Sequence, residues 1–226
     1  MEFVILNPGM IKNIYYIISK ELLIERRDAS VFLSSLLYLI AISFVVFKIF
    51  SSLEGPVKMG LFWVIFLFTC INIVGGVFSY QSRKRKLNIY QLYDPVDLFL
   101  AKFAFSYLKL IIAGLVLILL QMLFSGSALV NAFLFGKTFL LCALGLSLIL
   151  SLVSAIASYS DRQTGLVAIL SLPLVIPILL LGMRLSLISE GFFQDPDSSQ
   201  YLLILSGIDL LLLSLSIIFI PLIWKS

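Results

Sequence analysis

Residues 138–160, TFLLCALGLSLILSLVSAIASYS, contain no Lys, Arg, Asp or Glu. A helix needs roughly 20 such residues to cross a hydrocarbon core about 30 Å thick, because each residue rises about 1.5 Å. Two further stretches meet the same condition: residues 163–183, QTGLVAILSLPLVIPILLLGM, and residues 59–82, MGLFWVIFLFTCINIVGGVFSYQS. With 61% hydrophobic and 12% charged residues in 226 positions, the composition excludes a soluble domain. The chain reads as an all-α polytopic membrane protein.

Working outward from these runs gives six spans, at 31–51, 59–80, 103–124, 137–157, 164–185 and 201–223. The third has two readings. Leu98 to Phe124 is apolar except for Lys102 and Lys109, so it is one long tilted helix or an interfacial helix feeding a shorter span. The spans occupy well over half of the chain and leave no room for a soluble domain, so residues 1–226 read as a single transmembrane domain. Residues 1–10 hold Glu2, Asn7, Pro8 and Gly9, with neither a basic start nor an apolar core, and no cleavable signal peptide is expected.

Basic residues stay in the cytoplasm during insertion. With the N-terminus inside, Lys12, Lys20, Arg26, Arg27, Arg83, Lys84, Arg85, Lys86, Lys102, Arg162 and Lys225 are cytoplasmic, against Lys48, Lys58, Lys137 and Arg184 outside. Both termini are therefore expected on the cytoplasmic side. The net charge of +4 is this topology signal and gives no reason to expect a nucleic-acid partner.

The chain has no histidine, the residue on which haem-ligating, zinc-binding and proton-relaying sites usually rely. Cys70 and Cys142 fall in mid-span, where cysteine behaves as a small apolar residue. Phe135-Gly136-Lys137-Thr138 has the ending of a phosphate-binding loop, but the glycine required five residues before Gly136 is Asn131. No hydrolytic motif is present. The expectation is a non-enzymatic chain with no directly bound cofactor or metal.

Two cytoplasmic segments carry more information. In residues 11–28, IKNIYYIISKELLIERRD, Ile11, Ile14, Tyr15, Ile18 and Leu22 share one helical face, while Lys12, Lys20, Glu21, Arg26 and Arg27 occupy much of the rest. Such a helix lies along the membrane surface, as a lipid anchor or as a lever touching a cytoplasmic partner. In residues 83–102, RKRKLNIYQLYDPVDLFLAK, four basic residues close the second span against anionic headgroups. Leu87, Tyr90, Gln91 and Asp94 fit a short helix ending before Pro95. Asp94 or Asp97 is placed to cap the helix that follows. This connection is a natural dock for a soluble subunit.

Lys20-Glu21-Leu22-Leu23-Ile24-Glu25-Arg26-Arg27 resembles the opening of six-helix permeases of the type 2 ABC exporter superfamily. Leu92-Tyr93-Asp94-Pro95 with Leu100-Ala101-Lys102, and Leu170-Ser171-Leu172-Pro173-Leu174-Val175-Ile176-Pro177, are similar to signatures of the cytochrome c maturation protein B family (CcmB, haem exporter protein B). The resemblance covers essentially the whole chain. It departs at Lys86–Gln91, where that family usually carries a Gly-x-Leu-Glu-like run and this sequence has neither glycine nor acid.

The resemblance implies a permease subunit in the bacterial inner membrane, working with a separate cytoplasmic ABC ATPase that holds the ATP. Glu21, Glu25, Arg26, Arg27, Tyr90, Leu92, Asp94 and Pro95 are the expected coupling residues. It also implies a neighbouring haem-handling membrane protein and a periplasmic haem chaperone, with haem handled by the complex. Alternatives are another exporter of this superfamily, moving a lipid, drug or glycan, and a non-transporting assembly scaffold.

Pro173 and Pro177 sit four apart, each removing a backbone donor, and read as a static packing kink or a hinge. Lys109 lies midway along the third span, Asp209 lies within the sixth and Arg184 lies near the outer end of the fifth. A charge at the bilayer centre costs about 2.5–3.5 kcal/mol, so Lys109 and Asp209 are each expected to face protein or water. Depth permits Asp209 to pair with Lys109 or with Arg184, and the alternative to structural pairing is a substrate path. Residues 185–200 are expected to place Phe192 and Phe193 in the interface; the superfamily resemblance implies short re-entrant helices there that meet periplasmic partners, and the alternative is an ordinary loop. Gly75, Gly76, Gly145, Ser147, Ser151 and Ser154 permit close helix approach, in a packed bundle or a homodimer seam.

Overall fold

The computed structural model describes residues 8–27, 29–49, 54–75, 77–78, 94–125, 130–158, 163–193 and 197–225. Among them are seven helices and no strand: α1 (Pro8–Arg27), α2 (Ser30–Ile49), α3 (Gly55–Val74), α4 (Pro95–Ser125), α5 (Ala132–Ala157), α6 (Gln163–Ser189) and α7 (Ser198–Lys225). Helices α2 to α7 are each long and apolar enough to cross a membrane. The protein is a multi-pass membrane protein.

The helix ends differ from the hydropathy limits because local chemistry sets them. Pro56, in the first turn of α3, starts that helix before Met59. Asn131 starts α5, its side chain accepting from the Leu134 N–H at 3.1 Å. Helix α4 is continuous from Pro95 to Ser125, which decides between the two readings of the third span in favour of one long helix. Its 31 residues extend about 46 Å, well beyond the hydrocarbon thickness.

Helix α6 also runs past its expected end, to Ser189. There the Phe192 N–H bonds to the Leu187 C=O at 3.0 Å and the Gly191 N–H to the Ile188 C=O at 3.1 Å. Gly191 has φ 79°, the left-handed geometry that a Schellman ending requires. No re-entrant helix follows among the described residues; α6 is instead longer. Phe192 reaches back over Gly55, where the lack of a side chain leaves room for its ring.

Helix α5 is the centre of the bundle and packs most extensively on α6 and α7. Along it Phe135, Phe139, Cys142, Leu146, Ile149, Leu150 and Val153 are buried, with Phe62, Trp63 and Phe66 of α3 against them. Gly145, Ser147, Ser151 and Ser154 are buried within this one chain. Their small size is used for packing inside the bundle. At one end, α3 and α5 begin near the turn after α6, and the Asn131 N–H bonds to the Ser189 C=O at 3.0 Å. At the other end the start of α4 and the ends of α3, α5 and α7 share a cluster of Phe78, Phe99, Leu152, Ala155 and Ile220, while α1 packs on α4 through a separate cluster of Ile17, Leu98 and Ala101.

Candidate functional site

Helix α1 packs parallel to the first half of α4. The Asn13 amide donates to Asp97 at 3.1 Å, and the Lys109 ammonium donates to Glu25 at 2.6 Å. Residues 13 and 25 are twelve apart, as are 97 and 109, so the two polar contacts stand about 18 Å apart on both helices. Between them Ile17, Leu98 and Ala101 are buried, with Ile14 and Ile18 packed against them.

The inward face of α1 therefore differs from the expected one. It carries Asn13, Ile14, Ile17, Ile18, Glu21 and Glu25, whereas Tyr15 and Leu22 are exposed. The helix has apolar side chains nearly all round, so the 3.6-residue period alone did not specify which set meets the protein. Arg26 and Arg27 are exposed in its last turn.

Lys109 takes a different partner from the one expected. Helix α4 begins at Pro95, which places Lys109 beside the C-terminal end of α1, with Glu25 as its ion-pair partner. The ammonium also lies 4.7 Å from the Phe105 ring centroid and 5.6 Å from that of Phe32 in the first turn of α2. Lys109 thus joins three helices where α1 turns into the first span.

Asp97 is not a helix cap; Asn13 occupies its carboxylate, which is only 4% exposed. Asp94 precedes α4, and its main-chain carbonyl accepts from the Leu98 N–H at 3.1 Å. Tyr90 and Leu92 lie outside the described residues. Lys102, 2% exposed, donates to the Val77 carbonyl at 2.8 Å and sits 4.6 Å over the Phe78 ring. Ser154 donates to the Gly75 carbonyl at 3.3 Å. The end of α3 is thereby tied to α4 and α5 immediately before the basic connection.

Asp209 lies about 16 Å from the start of α7, near mid-bilayer. It is 4% exposed, and neither carboxyl oxygen has a hydrogen-bond partner among the described residues. It faces Gly145 on α5, beside Ile178 on α6. The expected ion pairing of Asp209 is not formed. Arg184, its other candidate, is exposed and lies over the Tyr201 ring at 4.5 Å.

Pro173 and Pro177 lie within an unbroken α6 and are exposed on the bundle surface, opposite the buried Ser171, Val175 and Ile178. They make no tight packing seam with another helix of this chain. Sequence reasoning missed Asn13, Asp97 and Lys102. The shared twelve-residue spacing of two polar pairs was the signal available for the first two. Lys102 carried none beyond a charge in an apolar stretch.

Six membrane-length helices with a seventh clasped at one end define a helical membrane-protein bundle. Residues 12–221 match the family described as CcmB protein, and the chain belongs to that family. No curated protein matches the chain. Family membership makes it a membrane component of a haem-exporting ABC system for cytochrome c biogenesis, which includes an ATPase and other subunits.

Proposed function

We propose that this chain couples ATP hydrolysis on a separate cytoplasmic subunit to the haem-delivery step of c-type cytochrome assembly, by haem export or by release of the haem-loaded periplasmic chaperone. Both termini and the connection between α3 and α4 face the cytoplasm in this reading, in the bacterial inner membrane. The excess of basic residues on those segments supports that orientation.

The observation that carries the proposal is the convergence at one end of the bundle. There α1, the start of α4 and the tied end of α3 surround the entry and exit of the basic connection. A subunit docked on that connection pushes on groups already fastened to α3, α4 and α5. Asp94 lies at this end, and Glu21, Arg26 and Arg27 follow along α1 toward Lys109; in this reading the partner engages them together with Tyr90 and Leu92. The chain itself binds no cofactor; a neighbouring membrane protein and the chaperone hold the haem.

Complementation tests the proposal. Cells lacking their own copy of this chain recover covalent haem on a c-type cytochrome when it is supplied. They fail to do so when the partner ATPase carries an inactivating substitution. Full maturation with the inactive ATPase would refute ATP coupling and favour a scaffold. A haem-loaded chaperone that stays bound to the complex when hydrolysis is blocked favours release; an unloaded chaperone favours export.

A further inference from the structure

We propose that α1 and the Pro95–Lys109 half of α4 act as one rigid strut, and that the Glu25–Lys109 ion pair is the contact that carries its movement into α2. The inference deepens the proposed function and rests on it for what drives the movement.

Two parallel helices joined at one point can pivot about it. These are joined at two, by Asn13–Asp97 near one end and Glu25–Lys109 near the other, with Ile17 buried against Ala101 between them. Sliding by one residue separates both polar pairs at once and uncovers the apolar strip, so the pair resists shear as well as rotation. The lower end of the strut sits beside the basic connection, because Asp97 is two residues beyond Pro95 and Lys102 holds Val77.

The upper end is where the movement has to go. Past Glu25, α1 ends at Arg27 and α2 begins at Ser30, so the chain has almost no slack there. Phe32 of α2 lies against the same ammonium that Glu25 binds. A displacement of the strut therefore reaches α2 through Lys109, and loss of the ion pair lets α1 bend at the elbow while α4 stays in place. Glu25 and Lys109 are positioning residues: they touch no transported group.

The test uses Glu25→Lys, Lys109→Glu and the double charge swap, with two readouts. The first is the distance between spin labels on Lys20→Cys and Leu108→Cys in the purified chain; both sites are exposed, and the native Cys70 and Cys142 are buried. The second is cytochrome maturation in cells, with retention of the ATPase checked by co-purification. The expected result is a single narrow distance in the parent, a broadened one in each single variant and a restored one in the swap. Maturation falls at least tenfold in the single variants, with the ATPase still bound, and recovers in the swap.

Unchanged label distances in the single variants would overturn the strut. Broadened distances with normal maturation would overturn its role in transmission, as would loss of the ATPase from the single variants. A parent chain that shows the narrow distance but fails to mature cytochrome would refute the proposed function and leave the strut standing.

Discussion

Gly145→Ala probes the middle of the bundle, and its outcome follows from the neighbours of that glycine. An added Cβ meets the Asp209 carboxyl and stands 2.6 Å from the Ile178 Cδ1. Ordinary carbon contacts lie at about 3.5–4.0 Å, so the isoleucine methyl has to withdraw by about 1 Å and the carboxyl has to turn. Overpacking of this kind costs typically about 1–3 kcal/mol. Replacing a helical glycine by alanine returns about 0.8–1 kcal/mol of intrinsic propensity. The net expectation is a loss of about 0–2 kcal/mol. Asp209→Ala removes one of the two obstructions, so Gly145→Ala should be milder in that background, by about 1 kcal/mol of coupling. The assay is unfolding in mixed micelles followed by Trp63 fluorescence, with Trp224 replaced by Phe; Trp63 is buried between Phe62 and Phe66 and reports core packing. Stabilisation by about 1 kcal/mol in both backgrounds, without coupling, would refute the placement of Asp209 against α5.

Three other perturbations have definite outcomes. Lys102→Met strips the Val77 carbonyl of its donor and the Phe78 ring of its cation, and should cost about 1–3 kcal/mol in the same unfolding assay; an unchanged midpoint would contradict the tie between α3 and α4. Replacing Pro173 and Pro177 together by Ala restores two backbone donors on an exposed face, so the protein should accumulate normally while maturation is lost; normal maturation would remove the hinge reading. Glu190 lies just beyond α6, and burial raises its carboxyl above the usual glutamate range, with one oxygen lacking a hydrogen-bond partner. An acid raised in the folded state favours folding below its unfolded pKa, and that contribution is lost as pH rises through the folded value. Glu190→Gln should therefore stabilise the protein at neutral pH and flatten its pH dependence across the mildly acidic range; an unchanged profile would oppose this.

The spans were legible because uncharged runs of this length have one physical meaning, and residues 138–160 turned out to lie largely within the most buried helix. Their ends were less so. Lys137 looked like the boundary of the fourth span, yet it lies within α5 over the Phe133 ring, and Asn131 makes the cap. Extension of α6 to Ser189 depends on a glycine-based ending that hydropathy does not register.

Pairings were the hardest to read. Depth alone allowed Lys109 to meet Asp209, but α1 packs along the first half of α4 and brings its own C-terminal end, with Glu25, to the lysine. Glu25 was legible as a coupling candidate by family resemblance, and its ion pair with a residue 84 positions away was not. The four-residue spacing of the paired prolines was legible, but only the fold shows them turned away from the rest of the chain.

The central claim is that a separate ATPase drives this bundle through its α1 end. Affinity purification of the tagged chain from native membranes in mild detergent, with mass spectrometry of the bound proteins, tests it most directly. The account predicts an ABC ATPase together with haem-handling maturation proteins, and loss of that ATPase when residues 83–93 are replaced by a Gly/Ser linker. Purification without any ATPase, under conditions that keep a known ABC complex intact, would contradict it.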